Sequence, residues 1–223
     1  MPWVSKATDD FNRANETPLS GGGNWTPAKA ANIGFNLSSN AVTISASGTG
    51  NDHSDVYVGR AWASDQYSKA NITDPGTNPS VGMGVCVRST RTSDASTEMY
   101  RAVISAGGHI ELGKFKPGFS LLHDYSGVSY VAGAVLELRV EGVGTATLLT
   151  VIYNGVTIGT HNDNGGSAID GPNYPGIAYS SDSGGVASAK IIDNWDGGEF
   201  EAAVSTAAAD NPPIGLIGRG AGW

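Results

Sequence analysis

The sequence predicts an all-β protein, built as an antiparallel sandwich of two sheets. Apolar residues alternate with polar residues over short runs, whereas the 3.6-residue period of an amphipathic helix is almost missing. Glycine, asparagine, aspartate and proline separate these runs, as turn residues do. The segment Tyr153-Asn154-Gly155-Val156 places Asn-Gly between two apolar runs, which is a strong β-hairpin signal.

The predicted strands are located by the alternation of side-chain types within each segment. Leucine and valine alternate with glutamate and arginine in Ala134–Glu141, so one face should be buried and the other polar. Valine and methionine alternate with glycine and cysteine in Ser80–Arg88. The predicted strands are Ala41–Ser47, Asp55–Ala63, Gln66–Thr73, Ser80–Arg88, Met99–Ser105, His109–Phe115, Ala134–Glu141, Thr147–Tyr153, Val156–Thr160, Gly176–Tyr179 and Ala187–Asn194.

We predict one sandwich domain over residues 9–200, after an N-terminal segment 1–8. Residues 201–223 then form a linker and an apolar, glycine-rich arm. Large apolar side chains left exposed in the arm would favour aggregation, so we expect it to dock on its own domain or on a neighbouring subunit. The residues expected to carry this assembly contact are Pro213, Ile214, Leu216, Ile217 and Trp223.

The composition excludes several classes of protein. The chain has 223 residues, of which 32 are glycine and 15% are charged, and its formal net charge is −8. No apolar run approaches the ~20 residues of a membrane-spanning helix. The negative charge argues against binding to nucleic acid, whose phosphates attract Lys and Arg. A single cysteine, Cys86, excludes an intrachain disulfide, and the opening residues lack the pattern of a signal peptide.

Several segments resemble, in order, those of concanavalin A-like (laminin-G-like) jelly-roll domains. The opening Asp9-Asp-Phe-Asn-Arg13 with Asn24-Trp25 is similar to the start of such domains. The segments Ala61–Tyr67, Leu136–Gly142, Val151–Gly155 and Ile192–Trp195 resemble later elements, and the resemblance covers about residues 9–197. It implies a concanavalin A-like jelly roll with two curved sheets. Because lectins, glycan-cleaving enzymes and adhesive modules share this fold, it leaves the function open.

The segment Glu137-Leu-Arg-Val-Glu141 is the strongest indication of enzymatic activity in the sequence. Glycan-cleaving members of the superfamily resemble it with Glu-x-Asp-x-Glu, in which two carboxylates act as nucleophile and acid. This chain has Arg139 at the central position, where a guanidinium would pair with the carboxylates. We therefore expect a ladder of ion pairs on a strand face, and no enzymatic activity.

Glycan binding would need exposed aromatic side chains beside polar ones. We select Trp62 and Tyr67 as aromatic candidates, and Arg88 and Arg101 as polar candidates on neighbouring strands. The alternative, that the arginines are surface charges on a solvated sheet, stays open.

The sequence requires no cofactor, and calcium is the metal that it suggests. Asp9 and Asp193 lie near the two ends of the domain, which are neighbours in a jelly roll, and calcium prefers oxygen ligands in loops. Aspartate in such loops also forms turns through its own side chain, which is the alternative.

We interpret the chain as a non-enzymatic structural or adhesive protein of a bacteriophage virion, in the tail or on the outer surface. Jelly rolls are frequent among capsid-decoration and tail proteins, to which the resemblance extends. The expected partners are other virion subunits or further copies of the chain, as a homo-oligomer, together with glycans of the host surface. No nucleic acid and no membrane insertion are expected. The alternatives are a stand-alone, extracellular carbohydrate-binding module and a glycan hydrolase or lyase.

Overall fold

The computed structural model describes residues 2–29, 34–45, 52–74, 81–90, 96–105, 107–181 and 190–201. Short 3-10 turns occur at Gly21–Gly23 and Gly144–Ala146, and none of the helices among these residues is long and apolar enough to cross a membrane. The strands are β1 (Trp3–Asp9), β2 (Trp25–Lys29), β3 (Gly34–Ser38), β4 (Ala41–Ser45), β5 (His53–Tyr57), β6 (Gln66–Ile72), β7 (Val81–Ser89), β8 (Met99–Ser105), β9 (His109–Phe115), β10 (Phe119–Ser126), β11 (Ala134–Glu141), β12 (Thr147–Tyr153), β13 (Val156–Asp163), β14 (Tyr174–Ser181) and β15 (Lys190–Phe200).

The strands form two antiparallel sheets. Sheet A has the order β13-β12-β11-β6-β15-β4-β3, and β1 also pairs with β15. Sheet B has the order β10-β9-β8-β7-β14-β5-β2. The predicted fold class, an all-β antiparallel jelly-roll sandwich, is confirmed.

The core lies between the sheets and follows the predicted alternation. Leu136, Leu138 and Val140 of β11 are fully buried, whereas Glu137 and Arg139 lie on the outward face and are partly exposed. The three buried residues belong to one apolar cluster that also contains inward-facing side chains of sheet B. Burial of apolar surface at about 25 cal/mol per Å² is the main force that holds the two sheets together.

Four predicted strands, β8, β9, β11 and β12, have the predicted bounds. The structure adds four strands that the sequence did not predict: β1, β2, β3 and β10. Strand β1 corrects the domain boundary, because it pairs with β15 from Trp3 to Asp9 and so places most of the segment 1–8 inside sheet A. Strand β10 was missed because it is an edge strand, where Phe119 and Leu121 are exposed and the alternation is lost.

The opening Asp-x-Phe-x-Arg segment forms a compact network of hydrogen bonds. The Asp9 carboxylate accepts hydrogen bonds from the Phe11 backbone N–H (2.8 Å), from Arg13 Nη1 (2.6 Å) and from Trp25 Nε1 (2.8 Å). Phe11 is fully buried and has a φ of 53°. The segment that carries the resemblance thus holds the chain between β1 and β2 against the core.

The outward face of sheet B is also buried. A second apolar cluster covers its central strands and includes Val56, Cys86 and Ala178, all fully buried. Thr97 Oγ1, just before β8, donates a buried hydrogen bond of 2.8 Å to the carbonyl oxygen of Ala28 in β2. Cys86 is fully buried, and this burial raises the pKa of its thiol, so the thiol stays protonated.

Candidate functional site

Strand β15 changes partner along one of its edges, and a groove lies at that change. Its residues Lys190 and Ile192 pair with β4, whereas the stretch from Trp195 to Phe200 pairs with β1. On its other edge β15 pairs with β6, with a register shift between Asp193 and Asp196. The neighbouring strand is therefore interrupted beside the irregular part of β15.

Two adjoining clefts on the outward face of sheet A, of about 630 Å³ and about 410 Å³, form what we call the β15 groove. They share Lys69 and Asn71 of β6 and Asn194 of β15, so the groove crosses from β1 over β15 and β6 to β11. Its lining residues are Thr8, Asp9, Asp10, Lys69, Asn71, Val135, Glu137, Asn154, Gly155, Asn194, Trp195 and Asp196.

The bulge in β15 directs two neighbouring side chains in opposite directions. Asn194 has a φ of 48°, a left-handed conformation that asparagine adopts more readily than most residues, and its side chain is exposed. Trp195 is 1% exposed, and its Nε1 donates a hydrogen bond of 2.8 Å to Ser68 Oγ in the core. Bulges commonly re-aim side chains next to functional sites, and this one places an amide in the groove.

Ion pairs hold the charged side chains of the groove in place. Asp196 accepts a hydrogen bond of 3.0 Å from the Tyr67 hydroxyl and pairs with Lys69 Nζ at 3.0 Å. Burial, and then the Asp196 charge, raises the pKa of Tyr67, so its hydroxyl stays a donor. On β11, Arg139 Nε donates to Glu137 Oε1 at 2.6 Å, which is one rung of the predicted ladder.

The two asparagines of the groove differ from these paired groups. Within the described part of the chain, neither the Asn71 nor the Asn194 side-chain amide makes a hydrogen bond. Each amide offers two N–H donors and a carbonyl acceptor. Together with the ammonium of Lys69 and the carboxylates beside it, they can form hydrogen bonds with a ligand rich in hydroxyl groups.

None of the four predicted glycan-binding residues lines the groove. Tyr67 is 4% exposed and is linked to it only through its hydrogen bond to Asp196. Trp62 lies in the core, 4% exposed, with its ring edge-on to Trp195 and its Nε1 bonded to the Tyr57 carbonyl oxygen. Its indole is therefore not available for stacking on a sugar. The sequence does not show whether Trp62 is buried or exposed, because its neighbours Ala61 and Ala63 give no alternation of polar and apolar residues.

The two arginines are buried and lie apart from the groove. Arg88 is fully buried and donates to the carbonyl oxygens of Ser64 (2.9 Å) and Ile169 (2.8 Å). Arg101 is 2% exposed on the outward face of sheet B, where it pairs with Asp52 and Glu111. The structure thus corrects the expected arrangement: the four predicted residues do not line one surface.

The described residues do not fit a calcium site at Asp9 and Asp193. Asp9 accepts three hydrogen bonds, and one of them comes from the Arg13 guanidinium, whose positive charge opposes a cation at this carboxylate. Asp193 lines a different cleft and accepts a hydrogen bond from the Asn194 N–H. Among the described residues, no three His, Cys, Asp or Glu side chains are grouped so that they could hold a metal ion.

The predicted assembly arm, with Pro213, Ile214, Leu216, Ile217 and Trp223, lies outside the described residues. Lys69, Asn71 and Asn194 were not predicted as site residues. Their positions depend on a bulge and on a change of strand partner, which no local pattern reveals. The one signal available was a run of Asp and Asn inside a predicted strand, Asp193-Asn194, where β-propensity is low.

A sandwich of two antiparallel sheets, with its first and last strands paired, defines the class of the protein. Comparison with solved structures identifies the fold as concanavalin A-like. The carbohydrate-binding module CBM66 from Bacillus subtilis matches with 17% identity and a TM-score of 0.53, over 77% of this chain and 94% of that one. A β-1,3-1,4-glucanase (lichenase) derived from a mouse hindgut metagenome matches with 8% identity and a TM-score of 0.54, over 86% and 98%.

The exoplasmic/lumenal domain of VIP36, in a form bound to Ca²⁺ and Man3GlcNAc, matches with 9% identity and a TM-score of 0.54, over 82% of this chain and 89% of that one. No sequence-family model and no curated protein matches the chain. At these identities the likeness establishes the fold, and the resemblance that the sequence predicted is confirmed.

Proposed function

We propose that this protein is a non-enzymatic, carbohydrate-binding β-sandwich that holds a saccharide in the β15 groove. The observation that carries the proposal is the pair of side-chain amides, Asn71 and Asn194, that face this groove without a hydrogen-bond partner in the described part of the chain. A saccharide hydroxyl both donates and accepts hydrogen bonds, so it can satisfy an amide and a neighbouring carboxylate at once.

Two structural neighbours support this choice among the functions that the fold allows. One is described as a carbohydrate-binding module, and another was solved with a bound mannose-containing oligosaccharide. A glucanase matches the fold equally well, so the fold does not distinguish binding from cleavage. The residues of the groove are the remaining criterion.

Arg139 favours binding over cleavage. Its Nε lies 2.6 Å from Oε1 of Glu137, the groove carboxylate of the segment that resembles the catalytic Glu-x-Asp-x-Glu motif. A catalytic pair needs one carboxyl group that carries a proton and a second that is free to attack. We expect no reducing sugar to be released from any polysaccharide that the protein binds. Release by the wild-type chain that is lost in Glu137→Gln would instead identify a hydrolase.

Binding is tested by a glycan array, followed by calorimetric titration of the best oligosaccharide. Asn71→Ala should weaken binding about tenfold, since it removes one or two hydrogen bonds to the ligand. Ser120→Ala, on the exposed edge strand β10 of the other sheet, is the matched control and should bind as the wild type does. An array without any bound saccharide, or an unchanged affinity in Asn71→Ala, would contradict the proposal.

We also propose that the protein works as an adhesive component of a bacteriophage virion, in the tail or on the outer surface. The support is the apolar, glycine-rich sequence of residues 211–223, which suits attachment to another subunit. Antibody labelling of purified particles tests this location, and particles without the protein would contradict it.

A further inference from the structure

The lining of the groove contains more acidic than basic side chains, and this excess affects which saccharides the groove can bind. Four of its lining residues carry carboxylates, namely Asp9, Asp10, Glu137 and Asp196, whereas Lys69 is the one basic residue among the described lining residues. The Lys69 ammonium is 3.0 Å from Asp196, so that carboxylate already offsets its charge. No unpaired cation is left in the lining to attract an anionic ligand.

The remaining carboxylates are balanced to different degrees. Arg13 pairs with Asp9 at 2.6 Å, and Arg139 pairs with Glu137 at 2.6 Å. Asp10 is exposed and, within the described part of the chain, forms no ion pair; its Oδ1 accepts a hydrogen bond from the Asn12 backbone N–H. Asp193, in the adjacent cleft, is also without an ion pair among the described residues.

We propose that the β15 groove selects saccharides without acidic groups and rejects those that carry carboxylate or sulfate groups. This inference rests on the proposed function. Asp10 and Asp193 add negative charge that no cation among the described residues offsets, so the potential in the groove is negative. The formal net charge of −8 on the whole chain has the same sign. An acidic sugar would meet this potential and would find no guanidinium or ammonium free to pair with it.

The test uses pairs of glycans of equal length that differ by an acidic group, such as a neutral oligosaccharide and its sulfated or C6-carboxylate counterpart. In a buffer of low ionic strength, the acidic member should bind at least about fivefold more weakly than the neutral member. The preference should shrink at about 0.15 M salt, where charges more than about 8 Å apart are screened. It should also shrink in Asp10→Asn.

Asp124→Asn is the control, because it makes the same change of charge on β10, in the other sheet. It should keep the wild-type preference. Equal or tighter binding of the acidic glycans by the wild type would overturn this inference and leave the proposed function standing. A preference for neutral glycans that neither salt nor Asp10→Asn alters would also overturn this inference and leave the proposed function standing. Failure to bind any glycan would overturn both.

Discussion

Arg88 is a charged residue that the fold has taken completely out of solvent. Its guanidinium reaches backbone carbonyl groups of Ser64, Gly142 and Ile169, which belong to separate loops at one end of the sandwich. Burial lowers its pKa, and the nearby Tyr100, Asp65 and Asp170 oppose this effect. The side chain therefore joins loops that would otherwise leave buried carbonyl oxygens without donors.

Replacing Arg88 by methionine should destabilise the protein by about 3 kcal/mol or more, because the buried carbonyl groups lose their donors. Arg139→Met is the matched control: its side chain is partly exposed and its ion pair with Glu137 contributes at most about 1 kcal/mol. Chemical denaturation followed by tryptophan fluorescence measures both variants. Equal losses in the two variants would show that burial of Arg88 has no special role.

Glu16 makes stability depend on acidic pH. Burial alone would raise its pKa, but hydrogen bonds from Arg13 and from the Gly21 and Ser20 backbone N–H groups outweigh it and lower the pKa from 4.5 to about 2. A carboxyl group with a lowered pKa stabilises the fold above its ordinary pKa, and this contribution is lost as the pH falls towards 2.

The wild type should therefore lose more unfolding free energy between pH 4.5 and pH 2 than Glu16→Gln does. The expected difference is about 1 kcal/mol, because the side chain is partly solvated. Urea denaturation at a series of pH values measures it. Parallel curves for the two proteins would contradict the assignment.

At the scale of the strands, some glycines serve close packing between neighbouring strands. A Cβ on Gly84 of β7 would lie 1.9 Å from the Ala102 carbonyl oxygen on β8, and its neighbours there are backbone atoms that cannot move aside. Gly84→Ala should lower the unfolding free energy by about 2 kcal/mol, as overpacked sites do. Gly166→Ala, where nothing lies within 4 Å, is the control for a thermal melt. An unchanged melting temperature in Gly84→Ala would refute this role.

Strands that face the core were predictable, and strands at the margin were not. Strand β11 could be located from its sequence, because burial of Leu136, Leu138 and Val140 imposes a strict alternation. Strand β10 has solvent on its outer edge and on much of its surface, so its sequence is under less constraint. Prediction from alternation also fails at Asn194, because the β15 bulge inserts residues into the period-two pattern. The bulge lies beside the groove, so the site itself is the part that the pattern misses.

At the scale of the whole molecule, the fold class and its concanavalin A-like character followed from turns, alternation and the opening Asp-x-Phe-x-Arg segment. The site did not follow, because it needs four strands, β1, β6, β11 and β15, to meet, and most of them are far apart in sequence. Asn71 and Asn194 are brought together by the pairing of β6 with β15, and Thr8 by the pairing of β1 with β15. Residue type alone favoured Trp62, Arg88 and Arg101, which the fold buries away from the groove.

Deletion of residues 211–223 should leave the sandwich folded, because the described core clusters include no residue beyond Trp195. We expect it to reduce self-association or attachment to another subunit, since the apolar side chains of this segment favour contact. Light scattering coupled to size-exclusion chromatography compares the two proteins, and circular dichroism checks the fold. A full-length chain that is strictly monomeric, and that binds no other protein subunit, would contradict the assembly role.

Strand β1 supplies one wall of the β15 groove, and in the described structure it is hydrogen-bonded to a single strand, β15. The opposite wall, β6 and β11, is fixed on both sides by other strands. Local opening in a protein starts where the fewest bonds must break, so we expect β1 to open more readily than β6 or β11. One wall of the groove is therefore bonded along a single edge and the other along both edges, so backbone amide exchange should be faster in β1 than in β6 and β11.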